Sequence, residues 1–397
     1  MSKKLRLIVL GAMGRIPFAG MAWEALHYVG GFRRLGHDVY YIEDTWDWPF
    51  DPEANRITRD SRYAVNFIAR MMDWCGMSDR WAYRAVEQEG RIYGLSESRF
   101  QQVFKSADAL VNVTASTELH EEQLSVPARI YLQTDPGPRE IKIANGDPAA
   151  IALLRAHTHF FSFAENLGAP DCRLPTGSFT YHLTRQPIVL DWFTAPVSPS
   201  ANGSRAGESE LQFTTVGNWK QSGFDVKWNG EVYTWSKHQE FLKFIGLPER
   251  IGQPVELALS CQDEQAKHLL ASHGWRVIDA LPLTRDILPY RDYVFGSDGE
   301  FTVAKDLNIR LRTGWFSERS ASYMTAGKPV ITQDTGFGSV LPTGEGLFAF
   351  QTMDDVVSAF EAIRSDYPRH SRAARAIAQE HFRAEKVLGK LIDDAGL

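Results

Sequence analysis

Short uninterrupted apolar runs alternate along this chain with longer stretches whose apolar residues return every three or four positions. The first run, residues 5–10, ends at Gly11 and reads as a strand buried on both faces, because a strand covered by helices on each side shows no polar alternation. A glycine-bearing loop from Gly11 to Gly20 follows, then an amphipathic stretch over residues 23–35 closed by Gly36, which reads as a helix and its C-cap. Residues 39–42 read as a second strand ending at Glu43-Asp44. Strand, loop, helix and strand in this order open a doubly wound sheet. Residues 109–113, 128–132 and 160–163 continue it as strands, and a helix starts at Pro148 with Asp147 as its N-cap.

The pattern loosens near Pro187, and residues 194–209 are rich in Pro, Ser, Gly and Ala with no hydrophobic period, the composition of a linker. Alternation then resumes. Strands are predicted at 211–216, 255–259, 276–278, 301–304 and 329–332. Helices are predicted at 236–245, 263–272, parts of 284–295, 317–326, 354–364 and 371–394. A chain of 397 residues is long for one core, so two α/β domains are expected. The expected boundaries are 1–185 for the first domain, 186–210 for the connection, 211–370 for the second domain and 371–397 for a closing helix. Two such sheets facing each other leave a cleft where small molecules bind.

Composition narrows the function classes. With 44% apolar and 23% charged residues the chain is an ordinary globular one, and a net charge of −6 gives no footprint for nucleic acid. Three scattered cysteines with no metal-ligand spacing suit a reducing compartment. The first apolar run is too short for a signal-peptide core, and no segment approaches a membrane span. A cytoplasmic protein is expected, with peripheral membrane contact left open.

The strongest local signal lies between Arg312 and Gly336: a glycine turn, the polar residue Ser317, a helix of small residues, Ala326-Gly327-Lys328-Pro329, a buried strand and the loop Asp334-Thr335-Gly336. Free N–H groups at a helix N-terminus, with hydroxyls and Arg319 nearby, seat a diphosphate well. The same residues also read as a plain N-cap followed by a solvated Glu318–Arg319 pair.

This stretch resembles the donor-binding region of GT-B glycosyltransferases. Gly30-Gly31 through Val39 is similar to the first helix-to-strand passage of such enzymes. Val216-Gly217-Asn218-Trp219-Lys220 resembles the first strand of their second domain, and residues 374–392 resemble the helix that crosses back to the first. The resemblance implies two Rossmann-like doubly wound domains across a cleft, and glycosyl transfer from a nucleoside-diphosphate sugar to a hydroxyl or amine of a small-molecule or glycan acceptor. It implies Lys220, Ser317, Arg319 and Ser320 on the diphosphate and Glu318, Asp334 and Thr335 on ribose or sugar. Arg15 and Phe18 of the first loop would then hold acceptor or phosphate. Retaining members carry two glutamates eight residues apart before this glycine, whereas here Gly314 and Ser322 stand at those positions. No Asp-x-Asp occurs, so neither a metal nor another cofactor is expected, and protein cations would neutralise the leaving group.

For a base, Asp135 follows a predicted strand and should reach the cleft edge, with Glu165 as second candidate; Asp135 reads equally well as an Asx-turn before Pro136. The first loop with Glu43-Asp44 also invites a nicotinamide-dinucleotide reading, but its spacing is Gly-x-x-Gly and Pro17 interrupts it. Tyr40, Tyr41, Trp46, Trp48, Phe50, Trp74 and Trp81 form an aromatic group that suits either an acceptor wall or plain helix packing. An epimerase or hydrolase on the same fold, and a two-lobed binding protein, remain as alternatives.

Overall fold

A computed structural model describes residues 3–88, 90–194 and 211–397. The first apolar run forms the strand Arg6–Leu10 at the centre of an eight-stranded sheet. Asp38–Glu43, Trp81–Ala85 and Arg91–Gly94 lie to one side, and Ala109–Val113, Ala128–Gln133, His159–Ser162 and His182–Leu183 to the other. All pairings are parallel except the last hairpin, in which Tyr83 faces Tyr93. A second sheet of six parallel strands runs Arg276–Asp279, Glu256–Ser260, Phe213–Asn218, Gly299–Thr302, Val330–Gln333 and Leu347–Phe350. The first centre is buried through the continuous run Leu7–Leu10, and the second through Phe213–Val216 and Gly299–Thr302, where Thr214, Thr215 and Glu300 are buried among the apolar residues.

Several elements differ from their sequence signals. The first helix spans Ala19–Arg34, a turn earlier than the amphipathic pattern, because Ala19 and Ala22 are themselves buried. The edge strands Trp81–Ala85 and Arg91–Gly94 and the strand Leu347–Phe350 carry too little alternation to be predicted. The single helix expected over 371–394 is two, Tyr367–His381 and Ala384–Asp394, broken where Arg383 bridges to Ile188.

The expected connection 186–210 begins inside the fold. Gln186 donates to the carbonyl of Phe316, Ile188 and Val189 are fully buried, and Leu190–Phe193 forms a short helical turn against the first helix. The remainder, 195–210, lies outside the described residues. The last helix returns to the first lobe and packs on Ala19–Arg34. Its Leu388 and Ala384 come so close to Gly31 that a Cβ there would sit 2.5 Å and 2.9 Å from them.

The lobes meet through specific bonds as well as apolar area. Trp23 Nε1 donates to Ile287 O at 3.2 Å, Trp315 Nε1 to Thr134 O at 2.9 Å, and the amide of Arg173 to Leu311 O at 2.8 Å. At Gly137 the backbone has φ +131° and the chain lies so near Leu307 that an added Cβ would stand 1.8 Å from its Cδ1. Gly137→Ala therefore combines a strained φ with a clash across the lobe interface. It should cost about 1–3 kcal/mol in urea denaturation, and an unchanged midpoint would show that the lobes are not packed this closely.

Candidate functional site

The C-terminal ends of both sheets open on one cavity of about 270 Å³. Gly217 and Asn218 end the first strand of the second lobe, Thr302 ends Gly299–Thr302, and Arg319 enters from the helix Glu318–Thr325. Asp135 comes from the opposite lobe, just past Ala128–Gln133. Ligands of parallel sheets bind at these strand ends because helix N-termini and connecting loops converge there.

Arg319 is fixed by three hydrogen bonds. Nε pairs with the wholly buried carboxylate of Glu300, Nη1 donates to Val216 O at 2.7 Å, and Nη2 donates to Thr302 Oγ1 at 2.8 Å. Thr215 Oγ1 completes the set at 3.2 Å from Glu300. A guanidinium has five N–H donors, so two remain for an anion in the cavity.

Two lysines join it. Lys305 Nζ lies 2.7 Å from Asp135 Oδ1 and 3.1 Å from the centre of the Trp235 ring. Lys237 Nζ stands 5.5 Å from the ring of Trp315, which itself donates to the first lobe. Desolvation, with the charges of Arg319 and Lys305 added, lowers Lys237 to about 7. A dianionic ligand would offset all three effects at once.

A carboxylate group borders these cations. Glu24, on the first helix, is held near 7 by burial and the charge of Asp135, against a hydrogen bond from Thr134. Glu318, the first residue of its helix, is raised well above the ordinary carboxylate range by burial and the charge of Glu24. Like charges raise each other, so the two carboxyls across the lobe boundary favour their protonated forms.

The structure sorts the sequence-predicted residues. Asp135 and Arg319 line the cavity. Ser317 is the N-cap residue but makes no side-chain cap bond, and Ser320 is wholly buried with its Oγ unpartnered. Lys220 is exposed and absent from the lining, whereas Lys237 and Lys305 line the cavity. Asp334 is engaged by Arg312 at 3.1 Å, Gln351 at 2.9 Å and the amide of Gly336, which together hold its carboxyl below the usual range. Thr335 is wholly buried and spends its hydroxyl on Trp315 O at 2.6 Å. Both shape the turn that carries Trp315 and do not line the cavity. Glu165 is clamped by Arg185 at 2.9 Å, away from the cavity, and burial raises it to about 7.

The first loop is settled by Glu43. Its carboxylate accepts from the amides of Gly14 at 2.7 Å and Arg15 at 2.5 Å and from Tyr41 Oη at 2.8 Å. The N–H groups that a dinucleotide phosphate would need are already occupied from within. Arg15 pairs with Asp47 at 2.8 Å, and Phe18 packs on Phe50 with centroids 5.7 Å apart. Neither lines the cavity.

Sequence reasoning missed Lys237, Lys305, Trp235, Glu24 and Glu300. Lys305 was within reach, since it stands one residue past the predicted strand 301–304 and three past the observed end at Thr302, where such ligands gather. Glu24 reads as a solvated helix position, and Thr134, Asp135 and Glu318 meet it only in the folded chain.

No family model matches the chain, and no curated protein matches it by sequence. Solved structures do. An α-glucosyltransferase in complex with UDP and a 13-mer DNA aligns over 100% of both chains with a TM-score of 0.58 at 10% identity. HepE of Anabaena in complex with UDP and glucose aligns over 99% of both with 0.57 at 12%. A glycosyltransferase of Rickettsia africae covers 99% of this chain and 98% of its own with 0.56 at 10%. At such identities the agreement is one of fold, and the fold of this chain is GT-B.

Proposed function

We propose that this protein transfers a glycosyl group from a nucleoside-diphosphate sugar, with UDP as the first nucleotide to test, to a hydroxyl or amine acceptor. The observation that carries the reading is the cavity at the facing strand ends, with Arg319, Lys237 and Lys305 on one wall and Asp135 on the other. Full-length likeness to structures holding UDP supports it.

In this reading the cleaving C–O bond leaves charge on the diphosphate, and three preorganised cations stabilise it. Lys305 is shared. A diphosphate competes with Asp135 for its ammonium, and the carboxylate so released can accept the acceptor proton in an inverting transfer. Leaving-group stabilisation by these side chains needs no metal, so turnover should persist in EDTA.

Lys237 is the cleaner probe of the diphosphate site, because Arg319→Ala would strand the buried Glu300 carboxylate at a cost of about 3–5 kcal/mol in stability. Lys237→Ala should lose about 1.5–3 kcal/mol of UDP binding, roughly ten- to a hundredfold, whereas Lys220→Ala should bind as wild type. The reverse pattern in calorimetric titration would move the phosphates to the exposed loop.

The lowered Lys237 also sets a pH dependence. Free Lys237 loses its proton as pH rises through about 7, while the diphosphate binds the protonated form. UDP affinity should hold below neutrality and fall above it, with proton uptake on binding, and Lys237→Arg should abolish the slope. A flat profile in the wild type would remove Lys237 from the site.

Asp135→Asn should keep UDP binding, or tighten it by freeing Lys305, and slow transfer on the order of 10²–10⁴-fold. Undiminished turnover from UDP-glucose in this variant would exclude Asp135 as the base.

A further inference from the structure

Of the seven aromatic residues gathered in and after the second strand, the structure buries Tyr40, Tyr41 and Trp81, packs Trp74 edge-on against Trp23 and Trp192, and sets Phe50 against Phe18. Two remain open. Trp46 and Trp48 are 43% and 44% exposed, on the loop that leaves the C-terminal end of Asp38–Glu43. Trp46 is held at φ +58°, a conformation a bulky residue adopts only when its surroundings impose it. Its ring meets His120 edge-on at 4.9 Å, and one face of Trp48 carries Arg59 at 4.4 Å.

The surroundings are polar but nearly neutral. Asp47 pairs with Arg15 at 2.8 Å, and Asp44 and Glu122 both pair with Arg84, at 3.5 Å and 2.9 Å. A polyanion or an anionic lipid surface gains little net attraction here. Flat apolar faces ringed by paired carboxylates and guanidiniums suit a ligand that is neutral, flat-sided and rich in hydroxyls, since rings bury area at little entropy cost.

The loop lies on the same sheet edge as the cavity. Asp135 follows Ala128–Gln133 and Trp46 follows Asp38–Glu43, with Ala109–Val113 and Arg6–Leu10 between them. Three strand intervals amount to about 14 Å, a span of several sugar rings. Between the two ends lie Thr114 and Ala115, both at positive φ, in the loop that leads towards His120.

We propose that Trp46 and Trp48 form a stacking platform for a neutral oligosaccharide acceptor, which runs from there along the sheet edge to present its reacting end at Asp135. The proposal rests on the glycosyl-transfer reading and names its acceptor class.

Ladders of malto-, cello- and chito-oligosaccharides of one to five units, added to the full chain with UDP, test it by calorimetry and saturation-transfer NMR. At least one ladder should bind, with affinity rising with length until the span is filled. Trp46→Ala/Trp48→Ala should lose about tenfold or more for the long members and little for the monosaccharide. Trp46→Phe should recover part of the loss, and Leu269→Ala, an exposed apolar residue on the other lobe, should change nothing. UDP affinity should stay constant throughout, so absence of UDP binding would count against the function proposed above and not against the platform. Wild-type UDP binding with no oligosaccharide bound at millimolar concentration would overturn the platform, as would equal binding by the double variant. Sedimentation with phosphatidylglycerol vesicles that depends on the two tryptophans, without glycan binding, would overturn it in favour of a lipid surface.

Discussion

Glu300 is wholly buried in the middle of the second sheet, and the cavity takes its form from the need to neutralise it. A carboxylate removed from water must find a partner, and Arg319 is that partner. The pairing fixes a long, flexible side chain against the strand ends, where Val216 O and Thr302 Oγ1 hold the remaining geometry. The entropy of ordering the guanidinium is thus met during folding, and its two open donors are ready for an anion. Lys237 and Lys305 can then sit close by, although three cations together repel, because Glu300 and Asp135 lie on either side.

Much of the architecture was legible because parallel strands buried on both faces leave continuous apolar runs, and capped helices leave Asp147 and Asp263 before their first turns. The edge hairpin Trp81–Ala85 and Arg91–Gly94 was not, since Arg84 and Arg91 break its alternation. Of the site, Asp135 and Arg319 could be read from a strand end and a helix start. Asp334 and Thr335 could not be told from ligand-binding residues, because their partners Arg312, Gln351 and Trp315 meet them only through the folded turn. Lys237 stood equally hidden. An antiparallel hairpin, Val226–Trp228 with Glu231–Tyr233, intervenes between it and the strand whose end it serves, so spacing from Val216 pointed to Lys220 instead.

That hairpin does more than lengthen a loop. Lys227 O accepts from Asn145 of the first lobe at 3.0 Å, and Val226 and Tyr233 join a small core with Ile141, Leu174 and Leu307. The segment that carries Trp235 to the cavity wall is therefore seated on both lobes. The shape of the cavity and the closeness of the lobes are set by the same contacts.

A mechanical consequence follows from the break between the two last helices. Among the described residues the chain crosses from the second lobe to the first at Phe382–Arg383, where the amide of Ile188 bonds Phe382 O at 2.6 Å and the Phe382 ring stacks on Phe316 at 5.4 Å. Any rotation of one lobe against the other has to bend there. Phe316 stands two residues before Glu318, so the pivot and the start of the helix that bears Arg319 share one aromatic contact. The guanidinium itself is held by Glu300, Val216 and Thr302 of its own lobe, so bending at the pivot would shift Asp135 relative to the cations while Arg319 stays aimed along the strand ends.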